Sequence, residues 1–158
     1  MKKARFIPII TTMAIMAVIF MLSAQTRESS SELSTGITKR IVDIVASVTN
    51  MSQESKASVV TGLHNFVRKT AHFTLYAVLG FSASAMFGGL RTKDRKWRIV
   101  LYSIAFCCLY AASDELHQKF VSGRGPQSTD VMIDTVGAFF GSVLFLPLLK
   151  RWRRITDD

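Results

Sequence analysis

Four long apolar runs dominate the pattern of hydrophobic and polar positions in this chain. They cover residues 6–24, 70–90, 99–118 and 131–149, and the first run contains no charged residue in 19 positions. A helix of about 20 apolar residues is long enough to cross the hydrocarbon layer of a bilayer. The third run is apolar only to residue 113, so it reaches that length only if its helix continues through Gln118. The pattern predicts an all-α polytopic membrane protein, a four-helix bundle in one domain of residues 1–158.

Basic residues gather in the short segments beside these runs. Segments 1–5, 91–98 and 150–158 hold three, five and four Lys or Arg residues, which is 12 of the 20 in the chain. Cytoplasmic segments of membrane proteins are enriched in Lys and Arg. The distribution therefore predicts a protein of the cell membrane with both termini in the cytoplasm and with segment 25–69 outside.

The amino-acid composition indicates which kinds of molecule the protein can bind. Apolar residues make up 49% of the chain, although its net charge is +9. A basic chain can bind nucleic acid, but here the basic residues lie beside apolar runs and form no basic face with stacking aromatic residues. Cys107 and Cys108 are adjacent within an apolar run, which fits neither a disulfide framework nor a zinc motif. We expect membrane lipids as partners, and no nucleic acid.

The long segment 25–69 is polar at its start and amphipathic further on. Apolar residues recur there at helical spacing, at Ile37, Ile41, Ile44, Val45 and Val48. Such a stripe predicts a helix that lies on the outer membrane surface or packs over the bundle. A second helix-packing signal is the Gly137–Gly141 spacing in the fourth run, which lets helices approach closely. Packing within one chain is the favoured interpretation, and the alternative is a contact between two chains.

Polar and ionisable residues of all four predicted helices fall at the ends that the charge distribution places outside. They are Gln25 after the first run, Arg68, Lys69 and His72 in the second, Asp114, Glu115, His117 and Gln118 in the third, Arg124 in the turn that follows, and Asp130 and Asp134 in the fourth. A charge at membrane depth costs about 2.5–3.5 kcal/mol on insertion scales. These side chains should therefore face one another, and they predict a polar pocket that opens outward.

The residue types in this pocket suggest their roles. His72, Asp114, Glu115 and His117 are the candidate catalytic residues, because a histidine beside a carboxylate can hold and pass a proton near neutral pH. The candidate substrate-binding residues are Arg68, Lys69, Gln25, Gln118, Arg124, Asp130 and Asp134. Arg68 and Lys69 lie on the side that the positive-inside bias disfavours, so they are expected to meet the carboxylates or a bound anion; the alternative is that they extend toward lipid headgroups.

A metal site built from His72, His117 and a carboxylate is chemically possible. No His-x-x-x-His spacing supports it, so we predict no metal ligands, and the sequence indicates no particular cofactor.

Several short motifs carry a resemblance to a known family. They are Phe20–Gln25, Arg68–Tyr76, Ser113–Phe120, Gly123-Arg124, Asp130 and Asp134–Gly137. Together they resemble the VanZ-like family of bacterial membrane proteins, in order and over nearly the whole chain. The resemblance implies an envelope protein of the Gram-positive type, and the family's namesake is associated with resistance to the glycopeptide teicoplanin. It implies no particular reaction.

Two kinds of function fit these expectations. One is an enzyme that acts on an anionic lipid or a lipid-linked envelope substrate. The other is a non-catalytic membrane protein that shields or reorganises surface targets, with the charged residues as structural ion pairs. A transporter fits less well, because the inner halves of the second, third and fourth runs carry no charge.

Overall fold

The structure is a computed structural model that describes residues 6–25, 27–49, 52–91, 93–121 and 127–157. Within these ranges the chain forms helices and no strand. The helices are α1 (Phe6–Ser23), α2 (Arg27–Thr49), α3 (Gln53–Leu90), α4 (Lys96–Gln118), α5 (Ser128–Phe145) and α6 (Leu149–Asp157), and the 3₁₀ turn Leu146–Leu148 joins the last two.

Four stretches of helix are long and apolar enough to cross a membrane. They are Phe6–Ser23, Phe66–Leu90, Lys96–Gln118 and Ser128–Thr156. This confirms the predicted all-α fold class with four membrane-length helices. The last three stretches begin before the predicted apolar runs, because residues such as Arg68, Lys96 and Asp130 continue the helix although they are charged. The hydrophobic pattern marks where a helix is apolar, but not where its backbone hydrogen bonding begins.

The long helix α3 forms the centre of the bundle, and it packs most closely on α5. Gly137 and Gly141 of α5 lie directly on the backbone of Phe73 and Ala77 in α3, where a Cβ atom would overlap the carbonyl oxygens. Small residues at a helix interface permit such an approach, and van der Waals packing then holds the helices together in lipid. The two glycines therefore allow close packing of two helices within one chain, which was the favoured interpretation of their spacing.

Hydroxyl groups connect the other helices to α3 in the middle of the bundle. Thr12 of α1 lies 2.9 Å from the Ser82 hydroxyl, and Ser84 donates a hydrogen bond to Ser103 of α4 at 3.0 Å. Ser142 of α5 donates to the Gly80 carbonyl oxygen at 3.2 Å. These bonds satisfy polar groups away from water and fix the relative height of the four helices.

The amphipathic helix α2 packs along α3, but not through its most apolar side. The buried positions on α2 are Thr38, Val42 and Ala46. The predicted apolar stripe is exposed instead, at Ile37, Ile41, Ile44 and Val45. The helix thus packs on the bundle, which is one of the two predicted placements, but its contact with α3 runs through Thr38, Val42 and Ala46 and not through the large apolar residues. The α3 residues before Phe66 extend the helix by about 20 Å beyond the membrane-length part.

The loop between α3 and α4 is held by α6 at the basic end of the bundle. Trp152 donates from its ring Nε1 to the Ala85 carbonyl oxygen at 2.8 Å. Arg153 donates from Nη2 to the Asp94 carbonyl oxygen at 2.6 Å, and the Arg91 Nε lies 2.6 Å from the Asp94 carboxylate. The basic segments around 91–98 and 150–154 thus meet at one end of the bundle.

Candidate functional site

At the opposite end, polar residues of the four membrane-length helices meet. We call Ser23, His72, Tyr76, Asp114, Glu115, His117, Gln118, Asp130 and Asp134 the polar cluster. The helix directions explain the meeting, since α1 and α4 end at this level while the membrane-length part of α3 and α5 begin there. Most of its side chains are buried although they are charged or polar.

Asp114 ties α4 to α1. Ser23 donates its hydroxyl hydrogen to Asp114 Oδ2 at 2.6 Å, and Gln118 donates from Nε2 to the same oxygen at 3.2 Å. Asp114 and Gln118 are 4% and 2% exposed, respectively. Hydrogen bonds to a charged acceptor are short and roughly twice as strong as neutral ones. The second oxygen, Oδ1, has no hydrogen-bond partner among the described residues.

His72 and Asp134 face each other across the contact between α3 and α5. His72 Nδ1 lies 3.7 Å from Asp134 Oδ1, and the two side chains are 20% and 3% exposed. The distance is longer than a hydrogen bond, so the two groups form an ion-pair contact without a direct hydrogen bond. Gly137, one turn after Asp134, packs directly against the backbone of Phe73, the residue next to His72. The tight helix contact therefore sets the distance between imidazole and carboxylate.

Tyr76 lies one turn deeper than His72 on the same face of α3. It is fully buried, and its hydroxyl has no hydrogen-bond partner among the described residues. The hydroxyl is close enough to Asp114 and Asp134 to interact with both electrostatically. The neighbouring Tyr110 differs, because its hydroxyl donates to the Met16 carbonyl oxygen at 2.6 Å.

Glu115 has a structural partner. Its Oε2 accepts a hydrogen bond from the backbone N–H of Gln127 at 2.7 Å, immediately before α5. A carboxylate at a helix N-terminus satisfies a free N–H and interacts favourably with the helix dipole. Glu115 thus anchors the start of α5 to the end of α4, which favours an anchoring role over the predicted catalytic one.

Five buried atoms of the polar cluster lack a hydrogen-bond partner among the described residues. They are Tyr76 Oη, Asp114 Oδ1, His117 Nε2, Asp130 Oδ1 and Asp134 Oδ1. Buried polar groups in proteins are nearly always hydrogen-bonded to protein or to ordered water. Such a concentration at one end of a bundle is typical of a site that receives water, protons or a ligand. The imidazole of His117 also packs on the Phe20 ring, with 4.6 Å between ring centroids.

Positive charge is sparse around these carboxylates. Arg68 is half-buried at the edge of the cluster and Lys69 is exposed, while the one ion pair with a cluster carboxylate among the described residues is that of His72 with Asp134. Gln25 is half-buried just after α1. Arg124 lies outside the described residues. No group of three or more His, Cys, Asp or Glu side chains within the described ranges is arranged to hold a metal ion.

Two members of the cluster were not among the residues predicted from the sequence to act in the site, namely Ser23 and Tyr76. A signal for Tyr76 was present, because it lies four positions after His72 and shares its helix face. The sequence signal for Ser23 was weaker, because a hydroxyl near a helix end is common and its partner Asp114 is 91 positions away in sequence.

Comparison with known proteins gives one match. The family model described as VanZ/LLP1 matches residues 8–151, which is nearly the whole chain. The searches of curated proteins and of solved structures gave no match.

Proposed function

The chain belongs to the VanZ/LLP1 family and has four membrane-length helices, and from this we propose that it acts at the outer face of the cytoplasmic membrane on an anionic lipid or a lipid-linked substrate of the cell envelope. We also propose that it contributes to tolerance of glycopeptides, above all of teicoplanin. The observation that carries it is the polar cluster, where five buried atoms have no hydrogen-bond partner in the part of the chain that the structure describes.

The orientation rests on charge. The end opposite the polar cluster holds the segments around 91–98 and 150–154, which contain most of the basic residues near the helix ends. Cytoplasmic segments attract such residues. With that end inside, both termini are cytoplasmic and the polar cluster opens to the outer leaflet, beside the helices α2 and α3.

The charge layout divides the site into an edge and an interior. Arg68 and Lys69 at the edge supply positive charge for a phosphate group, and a guanidinium can bind it through two parallel hydrogen bonds. The sequence adds Arg124, which has a glycine on each side, as a further candidate. In the interior, we expect His72, with Asp134 beside it, to accept a proton from the attacking group and return it to the leaving group.

The test compares substitutions at the two ends of the bundle. We expect His72→Gln and Asp134→Asn to lower turnover of the substrate by about a hundredfold or more, because acid–base catalysis contributes this much. Asp94→Asn, at the basic end, is the control and should keep activity. The measurements are mass spectrometry of the cell's lipids and lipid-linked intermediates, and teicoplanin tolerance, at equal protein abundance. Wild-type lipid profiles and tolerance in both site variants would overturn the proposal.

A non-catalytic shielding role is the second candidate, and the Ser23–Asp114 contact favours it, because it shows a cluster carboxylate serving to join two helices. The substitution His117→Gln separates the candidates. It should abolish an enzymatic function that uses the imidazole, whereas a shield of unchanged fold should keep its protective effect. Tolerance at normal abundance in this variant would favour the shield.

A further inference from the structure

The polar cluster has two levels of opposite charge. Arg68 and Lys69 form the edge, and one turn deeper the carboxylates begin with Asp134 opposite His72. Four residues of α-helix correspond to a rise of about 6 Å, so a positive level lies roughly that far above a negative one. A simple anion fits the edge but leaves one oxygen each of Asp114 and Asp134 without a hydrogen-bond donor among the described residues.

The interior offers a specific set of hydrogen-bond acceptors. Tyr76 Oη, Asp114 Oδ1 and Asp134 Oδ1 are all buried and have no hydrogen-bond partner among the described residues, although Asp134 Oδ1 faces His72 Nδ1 at 3.7 Å. Tyr76 interacts electrostatically with both carboxylates. The unpartnered Tyr76 hydroxyl, on a side chain that is 0% exposed, is an observation independent of the acidic residues. A primary ammonium group has three N–H donors and no acceptor, which matches three oxygen acceptors of which two carry negative charge.

We propose that the site takes a lipid headgroup that carries both a phosphate and a primary ammonium, of the phosphoethanolamine type. This inference rests on the proposed function: it keeps a phosphate-bearing lipid as the substrate and replaces a net anionic headgroup by a zwitterionic one. The phosphate binds at Arg68, and the ammonium binds between Asp114, Asp134 and Tyr76. In this headgroup four covalent bonds of about 1.5 Å separate phosphorus from nitrogen, which covers the one turn between the level of Arg68 and that of Asp134. Tyr76 lies one turn deeper still, so its hydroxyl contacts the ammonium from below.

The ammonium explains why buried carboxylates persist here. An unpaired charge at membrane depth is unfavourable, and His72 can compensate only one of the nearby carboxylates. A cation brought by the ligand supplies the missing partner. A headgroup with a hydroxyl in place of the ammonium would leave the carboxylates uncompensated, and an acylated amine would be too large and neutral. Discrimination between these headgroups is therefore the property to measure.

The experiment uses the full chain in a neutral detergent and native mass spectrometry. The probes are dihexanoyl phosphatidylethanolamine, its N-acetylated form, dihexanoyl phosphatidylglycerol and free phosphoethanolamine. We expect the first to bind about tenfold or more tightly than its N-acetylated form and the glycerol lipid, because a charged hydrogen-bonded contact of this kind changes affinity by at least that factor. It should also bind more tightly than free phosphoethanolamine, which has no acyl chains to bury.

The outcomes separate this inference from the proposed function. Equal binding of the ethanolamine and glycerol lipids would overturn the zwitterionic headgroup but leave an anionic-lipid site intact. Binding of neither lipid would overturn both. Free phosphoethanolamine binding as tightly as the lipid would overturn the assignment to a lipid.

Tyr76→Phe provides a variant that should fold. It removes a buried hydroxyl that has no partner, so the stability of the unliganded protein should stay the same or rise. We expect its preference for the ethanolamine lipid over the glycerol lipid to fall severalfold, with affinity for the glycerol lipid unchanged. Asp94→Asn is the control and should keep the full preference. An unchanged preference in Tyr76→Phe would count against the ammonium site.

Discussion

Replacing Gly137 by alanine should force apart the two helices that place His72 beside Asp134. A Cβ atom at Gly137 would lie 3.1 Å from the carbonyl carbon and 3.2 Å from the Cα of Phe73, and closer still to the carbonyl oxygen. Carbon atoms at optimal separation are about 3.5–4.0 Å apart. These atoms belong to a helix backbone that cannot rotate away, so relief requires α3 and α5 to separate.

The magnitude follows from two opposing effects. Overpacking of a well-packed interior typically costs about 1–3 kcal/mol. Alanine also favours the helical backbone over glycine by about 1 kcal/mol, which offsets part of this loss. We expect Gly137→Ala to lower the free energy of unfolding by up to about 2 kcal/mol, a factor of up to roughly 30 in the ratio of folded to unfolded protein.

The chain offers a matched control at Gly36. This glycine is exposed on α2, and a Cβ atom there would have no neighbour within 4 Å. Gly36→Ala should therefore gain the helical preference alone and raise stability by roughly 0.5–1 kcal/mol. Equilibrium unfolding of both variants in detergent micelles measures the difference. If Gly137→Ala proved as stable as Gly36→Ala, the close contact would not be what sets the geometry of the site.

Three further predictions concern the polar cluster and the orientation. Ser23→Ala should lower the free energy of unfolding by about 1.5–3 kcal/mol, since it removes a hydrogen bond to the buried Asp114 carboxylate; unchanged thermal stability would contradict that tie. Glu115→Gln keeps an acceptor for the Gln127 N–H but loses the charge at the α5 N-terminus, so its loss should stay near 0.3–1 kcal/mol; a much larger loss in the same unfolding assay would indicate a further role for the charge. A cysteine placed at Asp94, in a chain without its native cysteines, should resist impermeant thiol reagents in intact cells; labelling from outside would refute cytoplasmic termini.

The four-helix architecture was predictable because it depends on one strong physical requirement. An apolar run of about 20 residues has few alternatives to a membrane helix. The meeting of polar residues at one end was predictable for a related reason, since topology alone decides which helix ends share a side of the bundle. The structure does bring His72, Asp114 and Asp134 to one end, while their chemical roles stay predictions.

Other features depended on information that an apolar pattern does not contain. On α2, large apolar residues and the small stripe of Thr38, Val42 and Ala46 both recur at helical spacing, and the pattern favoured the large ones. Close helix packing favours small side chains, so the smaller stripe lies against α3. Contacts such as Ser23 with Asp114 join residues far apart in sequence, and only the packing of α1 against α4 determines them.

The carboxylate oxygen atoms of the polar cluster fall into two groups, according to what each atom contacts. Asp114 Oδ2 and Glu115 Oε2 accept hydrogen bonds that join neighbouring helices or elements, which is reason enough for their burial. The Oδ1 atoms of Asp130 and Asp134, and the Oδ1 atom of Asp114 as well, have no such bond among the described residues. A buried charge without a hydrogen-bond partner is too unfavourable to serve stability. The second group therefore carries the functional argument, and Asp134, next to His72 and near Tyr76, is the residue on which we expect binding and proton transfer to depend most.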